Sequence, residues 1–254
     1  MEMKKNHVIV TGSKESFLVR VLVKKLKDAD MDSEFVPWTV NDINARWNGT
    51  DLITIFMDTG ERPGSEVLQF LIDRMTDEAK HLILIGEDRD VELVRGQVPA
   101  DMIYRAFVRP VDNEAYVASV RELFQKVAAG EFKKSILIVD DDPNYMGLVR
   151  EWLKGTYKVA MANSGLQAIK WLGKNKADLI LLDHEMPVTT GPQVLEMLRN
   201  DEETRRIPVI FLTGKGDKQS VMAVVALKPE GYFLKTIEKN ELLEKLDEFF
   251  KTHR

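Results

Sequence analysis

The chain predicts an α/β fold of two five-stranded parallel sheets flanked by helices, one sheet in each half of its 254 residues. Three observations carry this. Short apolar runs alternate with amphipathic stretches throughout, the pattern of repeated strand–helix units. The runs are continuous, as from Leu179 to Leu182, which fits strands covered on both faces. Setting Val10 against Val139 brings the halves into register at a period of about 129 residues.

In the first half the buried-strand candidates are Val8 to Val10, Leu52 to Met57, Leu82 to Ile85 and Ile103 to Val108. The stretch "NEAYVASVRELFQKVAAGEFKKS" reads as a last helix running into a short basic linker. A boundary near Glu131 follows, with domains at 1–130 and 131–254. In the second half strands are predicted at Ile136 to Val139, Tyr157 to Met161, Leu179 to Leu182, Val209 to Leu212 and Tyr232 to Leu234. Between them lie helical core faces: Tyr145, Leu148, Val149 and Trp152; Ala168, Ile169 and Leu172; Val194, Leu195 and Leu198; then Leu242, Leu243, Leu246, Phe249 and Phe250. Pro192 suits the first turn of the third of these helices, where no amide hydrogen is needed.

Composition excludes several function classes. There is no cysteine, hence no disulfide framework, thiolate metal site or cysteine nucleophile. No apolar run approaches the roughly 18 residues of a membrane span. The first 130 residues carry 17 basic and 22 acidic side chains and the remainder 19 of each, without the basic surplus of a nucleic-acid binder. The expectation is a soluble, cytoplasmic protein with no direct nucleic-acid binding.

Ligands of an open parallel sheet sit beyond the carboxyl ends of its strands. In the second half those ends carry Asp140, Asp141 and Asp142; Asp183; Thr213; and Lys235. Three of the acids, a hydroxyl and an ammonium are thus expected on one edge, while Asp142 reads as a helix cap.

The pieces "ILIVDDDP", "LILLDHEMP" with Gly191 four residues on, "VIFLTG" and "GYFLK" resemble, in order and spacing, the receiver domain of bacterial two-component response regulators, over about residues 134–252. The resemblance implies a flavodoxin-like fold and transfer of a phosphoryl group to Asp183 from a histidine kinase or histidine phosphotransfer protein. It further implies Mg²⁺, or Mn²⁺, held by Asp140, Asp141, Asp183 and the backbone carbonyl of Glu185. Lys235 is then expected to pair with the acyl phosphate and Thr213 to hydrogen-bond it, with Tyr232 as the aromatic switch. Glu185 and Lys215 would flank the path of water to the acyl phosphate and so set its lifetime. One departure stands out: the family usually has Lys-Pro with a cis peptide, whereas Lys235 precedes Thr236, and a non-proline cis bond costs about 2.5 to 4 kcal/mol.

The first half resembles a receiver that has lost its chemistry, with Thr11 and Gly12 in place of the acid pair, Gly86 in place of the hydroxyl and Arg109-Pro110 in place of Lys-Pro. Asp58 follows its third strand without acids to support a metal. The main expectation is a tandem receiver, itself not an enzyme, that signals to a downstream effector protein or to an output domain outside the sequence, with pairing into a homodimer. Two rivals are a phosphate-independent docking scaffold and a phosphohydrolase of the haloacid dehalogenase type, which would need Glu185 as general acid.

Overall fold

The computed structural model describes residues 6–78, 80–214 and 227–253. Two compact units divide the chain, Met1–Glu131 and Phe132–Arg254. The first comprises β1 (His7–Gly12), α1 (Phe17–Asp28), β2 (Asp32–Pro37), α2 (Val40–Arg46), β3 (Leu52–Phe56), α3 (Ser65–Asp77), β4 (His81–Gly86), α4 (Asp88–Arg95), β5 (Ile103–Val108) and α5 (Asn113–Ala128). The second comprises β6 (Ser135–Val139), α6 (Pro143–Leu153), β7 (Lys158–Ala162), α7 (Gly165–Leu172), β8 (Leu179–Asp183), α8 (Gly191–Asn200), β9 (Val209–Thr213), β10 (Gly231–Leu234) and a final helix α9 (Lys239–Thr252).

Both predicted sheets are present. The orders are β2-β1-β3-β4-β5 and β7-β6-β8-β9-β10, with every pairing parallel. The central strands are buried along their length because helices cover both faces. In the second unit one apolar layer packs α6 and α9 against the sheet through Val149, Leu153, Leu242, Leu246 and Phe249. The opposite layer packs α7 and α8 through Ala168, Val194, Leu195 and Leu198.

The structure corrects the sequence reading at several places. β2, "DSEFVP", escapes the apolar-run criterion: it is an edge strand that buries only Ser33 and Val36 fully and carries Asp32, Glu34 and Pro37, so its apolar residues form no continuous run. β7 runs one residue later than expected, at Lys158–Ala162. On α6 the buried stripe is Met146, Val149 and Leu153; Tyr145 and Trp152 pack against it half-buried, and Leu148 is exposed. A stripe shifted by one position is a rotation of the helix by about 100° that apolar spacing alone does not fix.

Caps fix where the second-unit helices start. The Asp142 side chain accepts from the amides of Asn144 and Tyr145, as expected of a cap, and Pro143 opens α6. Ser164 caps α7 through the Gln167 amide. Gln193 reaches back to the Thr190 amide at 2.9 Å, with Pro192 in the first turn of α8. These starts matter because α6 and α8 leave the sheet next to the strand ends that carry the acids.

Candidate functional site

Because β6 turns outward to β7 while β8 lies on its other side, the crevice beyond β6 and β8 is the switch point of the second sheet. Asp140 follows β6 and Asp183 ends β8; both are buried. The Asp140 amide donates to Ala162 O at 3.1 Å, extending the β6–β7 ladder by one residue, and Asp140 Oδ1 accepts from the Asp142 amide at 2.9 Å. Asp141 is exposed at the rim. Carboxylate oxygens of Asp140, Asp141 and Asp183 lie within 4.8 Å of one another.

Lys235, just past β10, closes the cluster. Its Nζ stands 2.8 Å from Asp140 Oδ2 and 3.0 Å from Asp183 Oδ2, while its amide donates to Thr213 O at 2.8 Å. One ammonium thus offsets part of the repulsion between two buried carboxylates. Burial pushes the Asp183 carboxyl above its ordinary value, against the Lys235 hydrogen bond and the Glu185 amide, which both favour the ionised form. Burial alone would lower Lys235, but hydrogen bonds to Asp140 and Asp183 leave it raised. Apart from that ammonium, the buried Oδ2 of Asp140 has no partner among the described residues. An under-satisfied buried carboxylate oxygen among two others suits a hard divalent cation.

Backbone geometry fixes the position of Asp183. A Cβ at Gly191 would stand 2.1 Å from Asp183 O, so only glycine lets α8 start against the end of β8. The Gly191 amide donates to His184 O at 3.1 Å, closing the loop "HEMPVTT". Inside that loop Val188 has φ 71° and is fully exposed, an unusual setting for a β-branched residue.

The remaining predicted residues divide. Thr213 ends β9 on the same edge, but its hydroxyl donates to Gly214 O at 3.1 Å, its own loop, rather than to Asp183. Tyr232 lies on β10 with its ring stacked on Phe211, centroids 5.5 Å apart, and Phe211 meets the His184 ring edge-on at 5.6 Å. This run of rings from His184, next to Asp183, to Tyr232 is not legible in the sequence, although the aromatic identities at 184, 211 and 232 are. Glu185 is exposed, and Lys215 lies outside the described residues. Among the described residues the cis peptide is Arg109-Pro110; the Lys235-Thr236 bond is not cis.

The corresponding edge of the first unit carries other chemistry. Thr11 is buried with its hydroxyl unpaired among the described residues, and Arg109 Nη1 stands 3.4 Å from Asp58 Oδ1. A Cβ at Gly86 would meet Met57 Cε at 2.9 Å, leaving little room for a hydroxyl-bearing side chain. Lys14 pairs with Glu61 of the loop after β3, and Arg62 of the same loop pairs with Asp90 of α4.

The family model described as "Response regulator receiver domain" matches residues 136–247. Chemotaxis protein CheY-3 of Vibrio cholerae is 31% identical over 118 residues, 46% of this chain and 91% of that protein. The chain belongs to the response regulator receiver family. It is a two-component response regulator, and its receiver match falls in the second unit. Polar-differentiation response regulator DivK of Brucella ovis is 37% identical over 92 residues, 35% of the chain and 75% of its own length. A probable cyclic di-GMP phosphodiesterase of Vibrio cholerae is 35% identical over 103 residues, 41% of this chain, but the receiver chain spans only 23% of that protein. Among solved structures, CheY4 of Vibrio cholerae is similar at 26% identity and TM-score 0.44, covering 46% of the chain and 98% of its own. The receiver domain of sensor histidine kinase PA1611 from Pseudomonas aeruginosa, described with a magnesium ion coordinated in its active-site cleft, is similar at 26% identity and TM-score 0.43, covering 46% and 96%.

Proposed function

We propose that the second unit takes a phosphoryl group onto Asp183 from a phosphohistidine of a histidine kinase or phosphotransfer protein. The observation that carries this is the convergence of Asp140, Asp141 and Asp183 with Lys235 bridging two of them, on the sheet edge where parallel folds bind ligands. Mg²⁺, or Mn²⁺, bound by Asp140, Asp141, Asp183 and the Glu185 carbonyl would neutralise the anionic donor. A carboxylate oxygen of Asp183 attacks phosphorus in line, the P–N bond of the donor breaks, and the leaving imidazole takes up a proton. Lys235 then moves its charge from Asp183 to the new phosphoryl oxygens.

Thr213, one residue beyond the partner of Asp183 in the β8–β9 ladder, turns its hydroxyl from Gly214 O toward the phosphoryl group. That movement changes the space next to Tyr232, whose stack on Phe211 gives the ring a defined starting position. Output passes to an effector protein or an output domain, without catalysis of its own. Glu185 and Lys215 set the lifetime of the acyl phosphate at its rim. The first unit carries no phosphoryl group: Arg109 occupies Asp58, and Thr11 and Gly12 supply no carboxylate. We read it as a docking module.

The test is phosphorylation by acetyl phosphate in the presence of Mg²⁺, followed by digestion and mapping of the adduct. A single adduct on the peptide containing Asp183 supports the reading, and continuous phosphate release without an adduct would point to a phosphohydrolase.

A further inference from the structure

Apolar spacing places Tyr145 on the core face of α6. Its position calls for more. Lys235 Nζ stands 5.1 Å from the centroid of the Tyr145 ring, within cation–π range, while the same nitrogen contacts Asp140 and Asp183 at 2.8 and 3.0 Å. The ammonium is therefore held from two directions, by carboxylates on the sheet edge and by a π face on α6. The lysine stem is flexible and its ammonium is otherwise strongly hydrated, so the ring narrows its choices.

We propose that Tyr145 is the positioning residue for Lys235, its ring keeping the ammonium over the acceptor before and during phosphoryl transfer. This deepens the assignment of Asp183 as acceptor and rests on it for the effect on rate. When Lys235 leaves Asp183 for a phosphoryl oxygen, the ring remains a partner that needs no proton and no charge change. Burial raises the phenol to about 12, so the ring stays neutral through the physiological range. The Tyr145 hydroxyl is buried without a hydrogen-bond partner among the described residues, and the positioning role does not require it. The Asp142 cap fixes the start of α6 three residues earlier and thereby sets the height of the ring above the strand ends.

The test compares wild type, Tyr145→Phe and Tyr145→Leu in the full chain. The first readout is the proton shift of the Lys235 ε-methylene by NMR, taken without phosphodonor. The account expects an upfield ring-current shift in wild type and in Tyr145→Phe and its loss in Tyr145→Leu. The second is the rate of adduct formation from acetyl phosphate with Mg²⁺. Tyr145→Phe should keep the wild-type rate within about twofold. Tyr145→Leu should be about fivefold slower, which corresponds to about 1 kcal/mol at 1.36 kcal/mol per decade. A damaged fold in the leucine variant is recognised by loss of dispersed NMR signals, and the wild-type and Phe arms then decide. An unshifted methylene in wild type overturns the proposal, as does a Phe variant as slow as Leu or a Leu variant as fast as wild type. Absence of any adduct in wild type would defeat the Asp183 assignment alone, since the methylene shift still decides whether the ring holds Lys235.

Discussion

No side chain fits between Gly191 and Asp183: a Cβ at position 191 would lie 2.1 Å from the Asp183 carbonyl oxygen and 2.9 Å from Phe211 Cε1. The backbone of α8 is thus pressed against the end of β8, and the place of Asp183 depends on it. Gly191→Ala should destabilise the second unit by about 3 kcal/mol, the upper end for overpacking, since backbone must move to make room. Urea denaturation measures the loss. Adduct formation should fall with it, as the shift is transmitted directly to Asp183.

Val188 presents the opposite case. With φ 71° and full exposure, its side chain gains no packing while its backbone occupies a region that favours glycine. Val188→Gly is expected to raise stability by about 1 kcal/mol, read from the urea midpoint, and to leave the yield of adduct unchanged.

The electrostatics of the acid pair predict a pH signature. The Asp183 carboxyl is raised by burial above its ordinary 3.8, so the fold favours its neutral form. Its contribution to stability is present below 3.8 and is lost as pH rises through the raised value. Asp183→Asn should therefore be more stable than wild type at pH 7, the difference closing on acidification toward pH 3. Thermal melts across that range test the sign; an advantage that grows on acidification would contradict it.

Lys235 behaves in the reverse sense at neutral pH. Its raised value means that its contribution is complete below 10.5 and disappears only as pH climbs through the folded-state value. Lys235→Met leaves two buried carboxylates without their cation and should cost about 3 kcal/mol at pH 7. Part of that loss should be recovered at pH 4, where Asp183 takes up a proton more readily.

Divalent metal supplies a fourth test. Mg²⁺ at a hundredfold excess over its Kd stabilises a protein that binds it only when folded by about 2.7 kcal/mol. That increment should appear in wild type and vanish in Asp140→Asn, because Asp140 contributes the buried oxygen whose sole partner among the described residues is Lys235. An equal increment in both proteins would remove Asp140 from the ligand set.

The sheets and the acid edge were legible in the sequence for a physical reason. Strands such as Leu179–Asp183 are buried on both faces, so their apolar runs are unbroken and their ends stand out. The same logic concealed β2, whose exposed Asp32 and Pro37 bound a strand at the sheet's rim. Chemical type identified Asp140, Asp183 and Lys235, but type says nothing of which way a hydroxyl turns, and Thr213 faces its own loop. Tyr145 escaped notice because a ring half in the core and half over an ammonium has the same spacing as a core residue. Gly191 was visible as a motif glycine, whereas its contact with Asp183 required the fold.

The central claim is that Asp183 alone accepts the phosphoryl group, with the acids and Lys235 around it and no counterpart in the first unit. Intact-mass measurement after incubation with acetyl phosphate and Mg²⁺ tests it most directly, on wild type, Asp183→Asn and Asp58→Asn. The account predicts one adduct in wild type and in Asp58→Asn, and none in Asp183→Asn. An adduct that survives in Asp183→Asn, or is lost in Asp58→Asn, would contradict it.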